Sequence, residues 1–360
     1  EICACLVGSE MCIRDRLKRL SSLALVAVTA TSLVACNSKI KVSFDCNAED
    51  YVTLGQYKGI EVTVDTTAIR DSLVNEKVQN DLDEVTEYSG VSRGAQDDDQ
   101  LTLSFTGTIG GNSVDGFSSD SYTLVLGKDS FVIPGFTDAL YNMKAGEQKI
   151  ITLTIPEGIK DAEDYANKRI VYEIKMEKVE QPIVPMITDA YAKENFGYDT
   201  VAEYREALAN DMKDTIDENI QSAKKQAVLE KLQDNAEVKG YPEDIVNSKS
   251  EDLERSIKFY STMYGMSVDE YCQDRYGISF DEYVKRSVTQ ELIMQLIAQK
   301  EDLSVTEYEY KGNLASFAKD NGYSDEEKFV NDFGKDKIVK NMLLQKAVDV
   351  VMGSAVINEK

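Results

Sequence analysis

A chain of 360 residues with 42% hydrophobic content holds enough apolar material for two or three domains, each with its own core. Its formal net charge of -24 repels nucleic-acid phosphates and anionic lipid headgroups, which excludes a nucleic-acid partner and a basic membrane-binding face. Histidine is absent, so imidazole metal sites, Ser-His-Asp triads and histidine general bases are excluded together, and no residue pattern calls for a metal or an organic cofactor.

Residues 1–16, EICACLVGSEMCIRDR, lack an initiator Met and read as translated sequencing-adapter sequence, so the biological reading starts near Leu17. From there LKRL, then SSLALVAVTATSLVA, then Cys36 gives a short basic stretch, an apolar stretch and small residues before a cysteine, the order of a secretory signal over residues 17–35. The uncharged run 20–35 falls short of the roughly 20 residues that a spanning helix needs. Leu33-Val34-Ala35-Cys36 resembles the lipobox of bacterial lipoproteins. That resemblance implies acylation of the Cys36 thiol, cleavage before it, a flexible tether beginning at Asn37-Ser38-Lys39, and a place on the extracytoplasmic face of the cell membrane. Two acyl chains hold a protein there without help from surface charge. A cleaved signal with an incidental cysteine is the alternative. The other cysteines, Cys3, Cys5, Cys12, Cys46 and Cys272, form no disulfide framework, and the mature chain keeps Cys46 and Cys272, either as free thiols or as a pair if the fold brings them together.

Further along, YVTLGQYKGIEVTV (51–64) alternates as extended chain, and AIRDSLVNEKVQNDLDEV places apolar residues at helical spacing until the polar GAQDDDQ. Residues 36–98 are therefore expected to be tether, strand and linker helix. From Leu101 the period shortens. LTLSFTGTI, YTLVLG, QKIITLTIP and RIVYEIKMEKV read as four strands, with Gly110-Gly111 as a hairpin turn. Beyond Pro182 the pattern is helical. Thr200 with Glu203, Ser267 with Glu270, Ser279 with Glu282, Ser304 with Glu307 and Ser324 with Glu327 fit capping boxes. Tyr204, Leu208, Met212, Ile216 and Ile220 step along one face of a single helical stripe. The fold class expected is α+β, an antiparallel sheet domain followed by an all-α domain.

LSFTGTIGGNSVDG, YTLVLGKDSFVIPGF and MKAGEQKIITLTIP together resemble an FKBP-type peptidyl-prolyl isomerase domain, in the version that trigger factors carry. The resemblance spans about eighty residues and assigns the domain to 99–181. It implies a pocket in which Phe105, Tyr122 and Tyr172 are aromatic walls, Val114 and Asp115 stand for a Phe-Asp pair, and Phe136 is the floor. Val132 and Ile133 supply the segment whose Ile133 amide binds a substrate carbonyl. Departures are Val at 114, one extra residue in the loop before Phe131, and no clear flap tyrosine, for which Tyr165 is the candidate. Rotation about an X-Pro bond breaks no covalent bond. Its barrier, about 18–20 kcal/mol, is lost amide resonance. The twisted amide has less charge separation than the planar one, so a dry aromatic pocket with one fixed donor favours it.

The flanking segments resemble the linker and the carboxy-terminal chaperone domain of trigger factor, here 182–360, while a signal and tether stand where that family has its ribosome-binding domain. The resemblance implies isomerase and chaperone activity toward unfolded or nascent exported proteins with X-Pro bonds, membrane attachment through lipid, and no ribosome docking. Tyr260, Met263, Tyr264, Met266, Tyr271, Tyr276 and Tyr283 could serve as an adaptable client surface or as helix core. Two alternatives remain at this stage: a holdase with a vestigial isomerase pocket, and a ligand-binding surface lipoprotein.

Overall fold

The computed structural model describes residues 38–360 apart from 157, 158, 160, 161 and 265, and describes no side chain at 115, 163 or 263. The adapter reading of 1–16, the signal at 17–35 and lipid attachment at Cys36 lie outside the described residues. In chain order the main elements are β1 (Glu61–Val64), α1 (Thr66–Glu84), β2 (Glu87–Gly90), β3 (Gln100–Ile109), β4 (Asn112–Val125), β5 (Gln148–Thr154) and β6 (Arg169–Ile183). There follow α2 (Val201–Asp211), α3 (Lys213–Asp234), α4 (Glu243–Met263), α5 (Val268–Tyr276), α6 (Phe280–Lys300), α7 (Glu307–Asp320), α8 (Glu326–Phe333), α9 (Lys335–Ser354) and β7 (Val356–Glu359). The architecture is α+β. It divides into two compact units, one of residues 74–210 and 257–277, the other of 38–73, 211–256 and 278–360.

The first unit is built on an antiparallel five-stranded sheet in the order β2-β6-β3-β4, with β5 also paired to β6. Gly110 and Gly111 both take positive φ, 59° and 83°, as a two-residue hairpin between β3 and β4 requires. Two strands differ from the sequence reading. β4 begins at Asn112, well before the apolar YTLV, because the hairpin carries the polar NSVDGFSSDS along β3 through register shifts opposite Leu103/Phe105 and Thr106/Thr108. β2 follows directly on α1, which ends before GAQDDDQ, and pairs Glu87–Gly90 with the far end of β6, including Pro182 opposite Tyr88. Alternating burial along β3 and β6 sends Leu101, Leu103, Phe105, Ile170, Tyr172, Ile174 and Met176 to one face, where they form the core of this unit.

The second unit is helical and centres on α6, which is buried on nearly every face between Tyr283 and Ala298 and packs on α9. Its amino-terminal stretch is docked rather than loose. Lys39–Ile40 pairs with Val305–Thr306, Val52–Thr53 with Glu237–Val238, and β1 runs parallel to β7. Val42, Phe44 and Cys46 pack against the same core. The tether is expected to begin at Asn37-Ser38-Lys39, but from Lys39 onward the chain is docked: the apolar residues at 40, 42 and 44 find a hydrophobic surface, and burying them outweighs the freedom of a loose chain.

A buried ion network holds this unit's amino-terminal stretch to its helices. Glu291 on α6 takes Lys249 at 2.7 Å and Lys340 at 2.9 Å, and Lys340 also reaches Asp45 at 2.9 Å. Burial pushes the Glu291 carboxyl up, but the two lysines more than offset this and hold it at about 2.

The helix starts follow the sequence in part. Ser267 and Glu270 form a reciprocal capping box, and Thr200 and Ser279 accept from the amides of Glu203 and Glu282. Two caps fall elsewhere. α7 is capped by Thr306 with Glu309, and α8 by Asp325, whose carboxylate accepts from two backbone amides, so neither Ser304 nor Ser324 serves. The stripe from Tyr204 to Ile220 is broken at Met212, which separates α2 from α3.

Candidate functional site

Five aromatic rings converge on one face of the sheet unit. Phe105 comes from β3, Tyr122 from β4, Tyr172 from β6, and Phe131 and Phe136 from the connection after β4. The backbone explains the convergence. Tyr172 sits opposite Gly107, where the sheet closes so tightly that an added Cβ would lie 2.5 Å from the Phe117 carbonyl oxygen. In the Ile-Pro-Gly-Phe turn Gly135 adopts φ 83°, the Phe136 amide donates to the Ile133 carbonyl at 3.3 Å, and both Ile133 and Phe136 become fully buried.

Phe136 forms the floor. Phe105 meets it edge-on at 5.2 Å between ring centroids, and Tyr172 meets it at 5.1 Å. Phe105 also touches Tyr122 and Tyr172 edge-on, each at 5.7 Å. These are the offset geometries that ring quadrupoles favour. The fifth ring differs. Phe131 lies flat on Phe136, with 3.8 Å between centroids and 19° between planes.

Polar groups are few. The Tyr172 hydroxyl is buried with no hydrogen-bond partner, and burial alone pushes its ionisation far above the usual phenol range, so it stays a neutral donor. Among the described residues the Ile133 amide also has no partner. Beside the pocket, Tyr141 donates to Asp97 at 2.5 Å, and that hydrogen bond raises the Tyr141 phenol to about 12. The fully buried Asp99 is held by both Arg93 guanidinium nitrogens and by the Gln96 amide, which fixes the loop leading into β3. Among the described residues no cluster of Cys, Asp or Glu is grouped to hold a metal ion.

Of the residues expected in the pocket, Phe105, Tyr122, Phe136 and Tyr172 meet there, and Ile133 is buried in the same core. Val114 is buried in that core as well, and the Asp115 side chain lies outside the described residues. Val132 does not enter the pocket. Its side chain is 57% exposed, because the chain bends at Val132 and Ile133 on its way into the Ile-Pro-Gly-Phe turn, and that bend sends Ile133 inward and Val132 out. The same irregular segment brings in Phe131, which the sequence reading passed over. Tyr165 faces Phe117, at 6.2 Å, and makes no part of the five-ring group.

The Tyr and Met cluster divides. Tyr271 and Tyr283 are buried, while Tyr264 is exposed, with the Arg275 guanidinium 5.0 Å above its ring. Ile183, Val184, Met186 and Phe259 are exposed apolar side chains in the sheet unit. Among the described residues no helix is long and apolar enough to cross a membrane.

Comparison with known proteins bears on both halves of the chain. Residues 91–177 match the family model of FKBP-type peptidyl-prolyl cis-trans isomerase, and residues 200–353 that of the bacterial trigger factor protein C-terminus. The trigger factor of Limosilactobacillus fermentum is 29% identical over 84% of this chain and 71% of its own length. That of Caldicellulosiruptor bescii is 28% identical over 87% of this chain and 74% of its own length. A solved structure described as "Promiscuous Substrate Recognition in Folding and Assembly Activities of the Trigger Factor Chaperone" aligns with a TM-score of 0.43 at 18% identity, over 84% of this chain and 72% of that one. The chain thus carries, in order, a segment similar to FKBP-type isomerases and a segment similar to the carboxy-terminal part of trigger factors.

Proposed function

We propose that the chain is a peptidyl-prolyl cis-trans isomerase joined to a chaperone body, acting on unfolded exported proteins. The observation that carries this reading is the pocket itself: aromatic walls from three strands around the Phe136 floor, with the Ile133 amide beside it and, among the described residues, without a partner. A prolyl ring on that floor leaves water, its amide loses charge separation as it twists, and a fixed donor holds the preceding carbonyl. Uncatalysed exchange takes tens to hundreds of seconds, long enough to delay folding. Neither a metal nor an organic cofactor enters this chemistry.

The exposed Ile183, Val184, Met186 and Phe259 suit weak binding of varied unfolded chains. We place the protein at the extracytoplasmic face of the membrane, held by lipid on Cys36. The order of basic, apolar and small residues before that cysteine supports this placement, and incorporation of a radiolabelled fatty acid that Cys36→Ser abolishes would test it. Ribosome docking forms no part of the reading, since a net charge of -24 opposes association with RNA phosphates.

The ring of Phe131 on the pocket floor favours a second reading, a holdase whose pocket is closed to substrate. Two assays on the wild-type chain and Phe136→Ala separate them: refolding of a proline-limited client, and suppression of aggregation of a client without a slow proline step. The isomerase reading expects Phe136→Ala to lose the first and keep the second. Acceleration of refolding that is absent from both proteins would leave the holdase.

A further inference from the structure

We propose that Phe131 lies where the proline ring of a substrate would lie, and that its displacement sets how tightly an X-Pro segment binds. The inference rests on reading the aromatic pocket as the isomerase site.

Three observations support it. Phe131 is stacked flat on the Phe136 floor at 3.8 Å, while its contacts with Phe105, Tyr122 and Tyr172 are edge-on at 5.5, 5.7 and 6.0 Å. A flat ring on the floor, ringed by edges, is the arrangement a bound pyrrolidine ring would take. Second, Phe131 is placed to leave. It is only half-buried where Phe105, Phe136 and Tyr172 are buried, its neighbours Ser130 and Val132 are exposed, and its segment is irregular chain between Gly127 and Gly135, both at positive φ. Third, among the described residues the closed pocket gives the Tyr172 hydroxyl and the Ile133 amide no partner. Buried donors of this kind are costly unless something accepts from them. A substrate carbonyl entering as Phe131 leaves is such an acceptor.

The expected effect follows from population arithmetic. If a stacked aromatic pair holds the pocket closed with the strength usual for such pairs, apparent affinity falls by about two- to tenfold. Removing the ring returns that factor.

The test uses the full chain as wild type, Phe131→Ala and Phe131→Trp, with the peptide Ala-Leu-Pro-Phe as probe. Exchange spectroscopy gives kcat/KM for its cis-trans interconversion, and thermal unfolding checks that each variant is folded. The chain has no tryptophan, so the introduced indole is the sole emitter of its kind. The proposal expects Phe131→Ala to raise kcat/KM about two- to tenfold, chiefly through KM. It also expects indole emission in Phe131→Trp to shift to the red as peptide is added. Turnover in Phe131→Ala equal to or below wild type, with a red shift absent, would overturn the proposal and leave the isomerase reading standing. Turnover in Phe131→Ala alone would support both. Neither binding nor turnover in any of the three would overturn the isomerase reading, and the inference with it.

Discussion

Replacing Tyr172 with Phe removes one oxygen atom and nothing else from the centre of the pocket. That hydroxyl is fully buried and, among the described residues, has no hydrogen-bond partner. Its burial is unfavourable by about 1–3 kcal/mol, and the substitution leaves no cavity larger than the atom lost. Tyr172→Phe is therefore expected to stabilise the sheet unit by that amount, with each kcal/mol raising its midpoint by about 2–4 °C. A second signature lies at high pH. Burial holds the Tyr172 phenol far above its ordinary value, so the unfolded chain releases this proton near pH 10 while the folded chain keeps it. The folded state has its full advantage from this group below about pH 10 and loses it as pH rises, so the gain from Tyr172→Phe should widen in alkali. Calorimetry of both proteins between pH 7 and pH 11, on scales set by the usual phenol range, reads the two effects together. A lower midpoint for Tyr172→Phe at pH 7 would refute the reasoning, since it would mean that the hydroxyl stabilises the fold through an acceptor.

Two other substitutions probe the frame around the site and the helical unit. Gly107→Ala would put a methyl group 2.5 Å from the Phe117 carbonyl oxygen and 3.0 Å from Ile170 Cδ1, forcing β3 and β4 apart beside Phe105. It should cost about 1–3 kcal/mol in thermal unfolding and reduce isomerase turnover, and an unchanged midpoint would contradict the packing described. Glu291→Gln removes the carboxylate that Lys249 and Lys340 share and leaves Lys340 with Asp45, an expected loss of about 1–3 kcal/mol read in urea unfolding at pH 7. Because the Glu291 carboxyl sits at about 2 when folded, against about 4.5 when unfolded, its stabilisation is complete above pH 4.5 and fades as pH falls toward 2. The variant's acid denaturation curve should therefore be flatter than wild type across that window.

How far the residues alone reveal this structure depends on where the information is local. Strands β3 and β6 alternate apolar and polar residues, and a Gly-Gly pair marks the hairpin from β3 to β4, so the sheet could be read directly, while the pocket places of Phe105, Tyr122 and Tyr172 are implied by the family resemblance. Glu87–Gly90 has no such alternation. It is a strand because the end of β6 offers it an open edge, and only the assembled sheet supplies that edge. The docking of residues 39–64 is non-local in the same way, with partners near residues 237, 305 and 356. Caps were legible as a type and ambiguous in place: Thr306 with Glu309 competes with the overlapping Ser304 with Glu307, and backbone geometry selects the former. For the pocket, no local pattern marks Phe131, which lies in irregular chain before the Ile-Pro-Gly-Phe turn. Which of Phe131 and Val132 faces inward depends on that turn, whose geometry fixes Ile133 first.

The most direct measurement is the cis-trans exchange rate of a short X-Pro peptide by exchange spectroscopy, with the wild-type chain beside Phe136→Ala at equal concentration. The account predicts faster exchange with the wild type and a rate close to that of free peptide with Phe136→Ala, since the floor against which the proline stacks is gone. Equal rates for the two proteins would contradict it and remove the aromatic pocket from any isomerase chemistry.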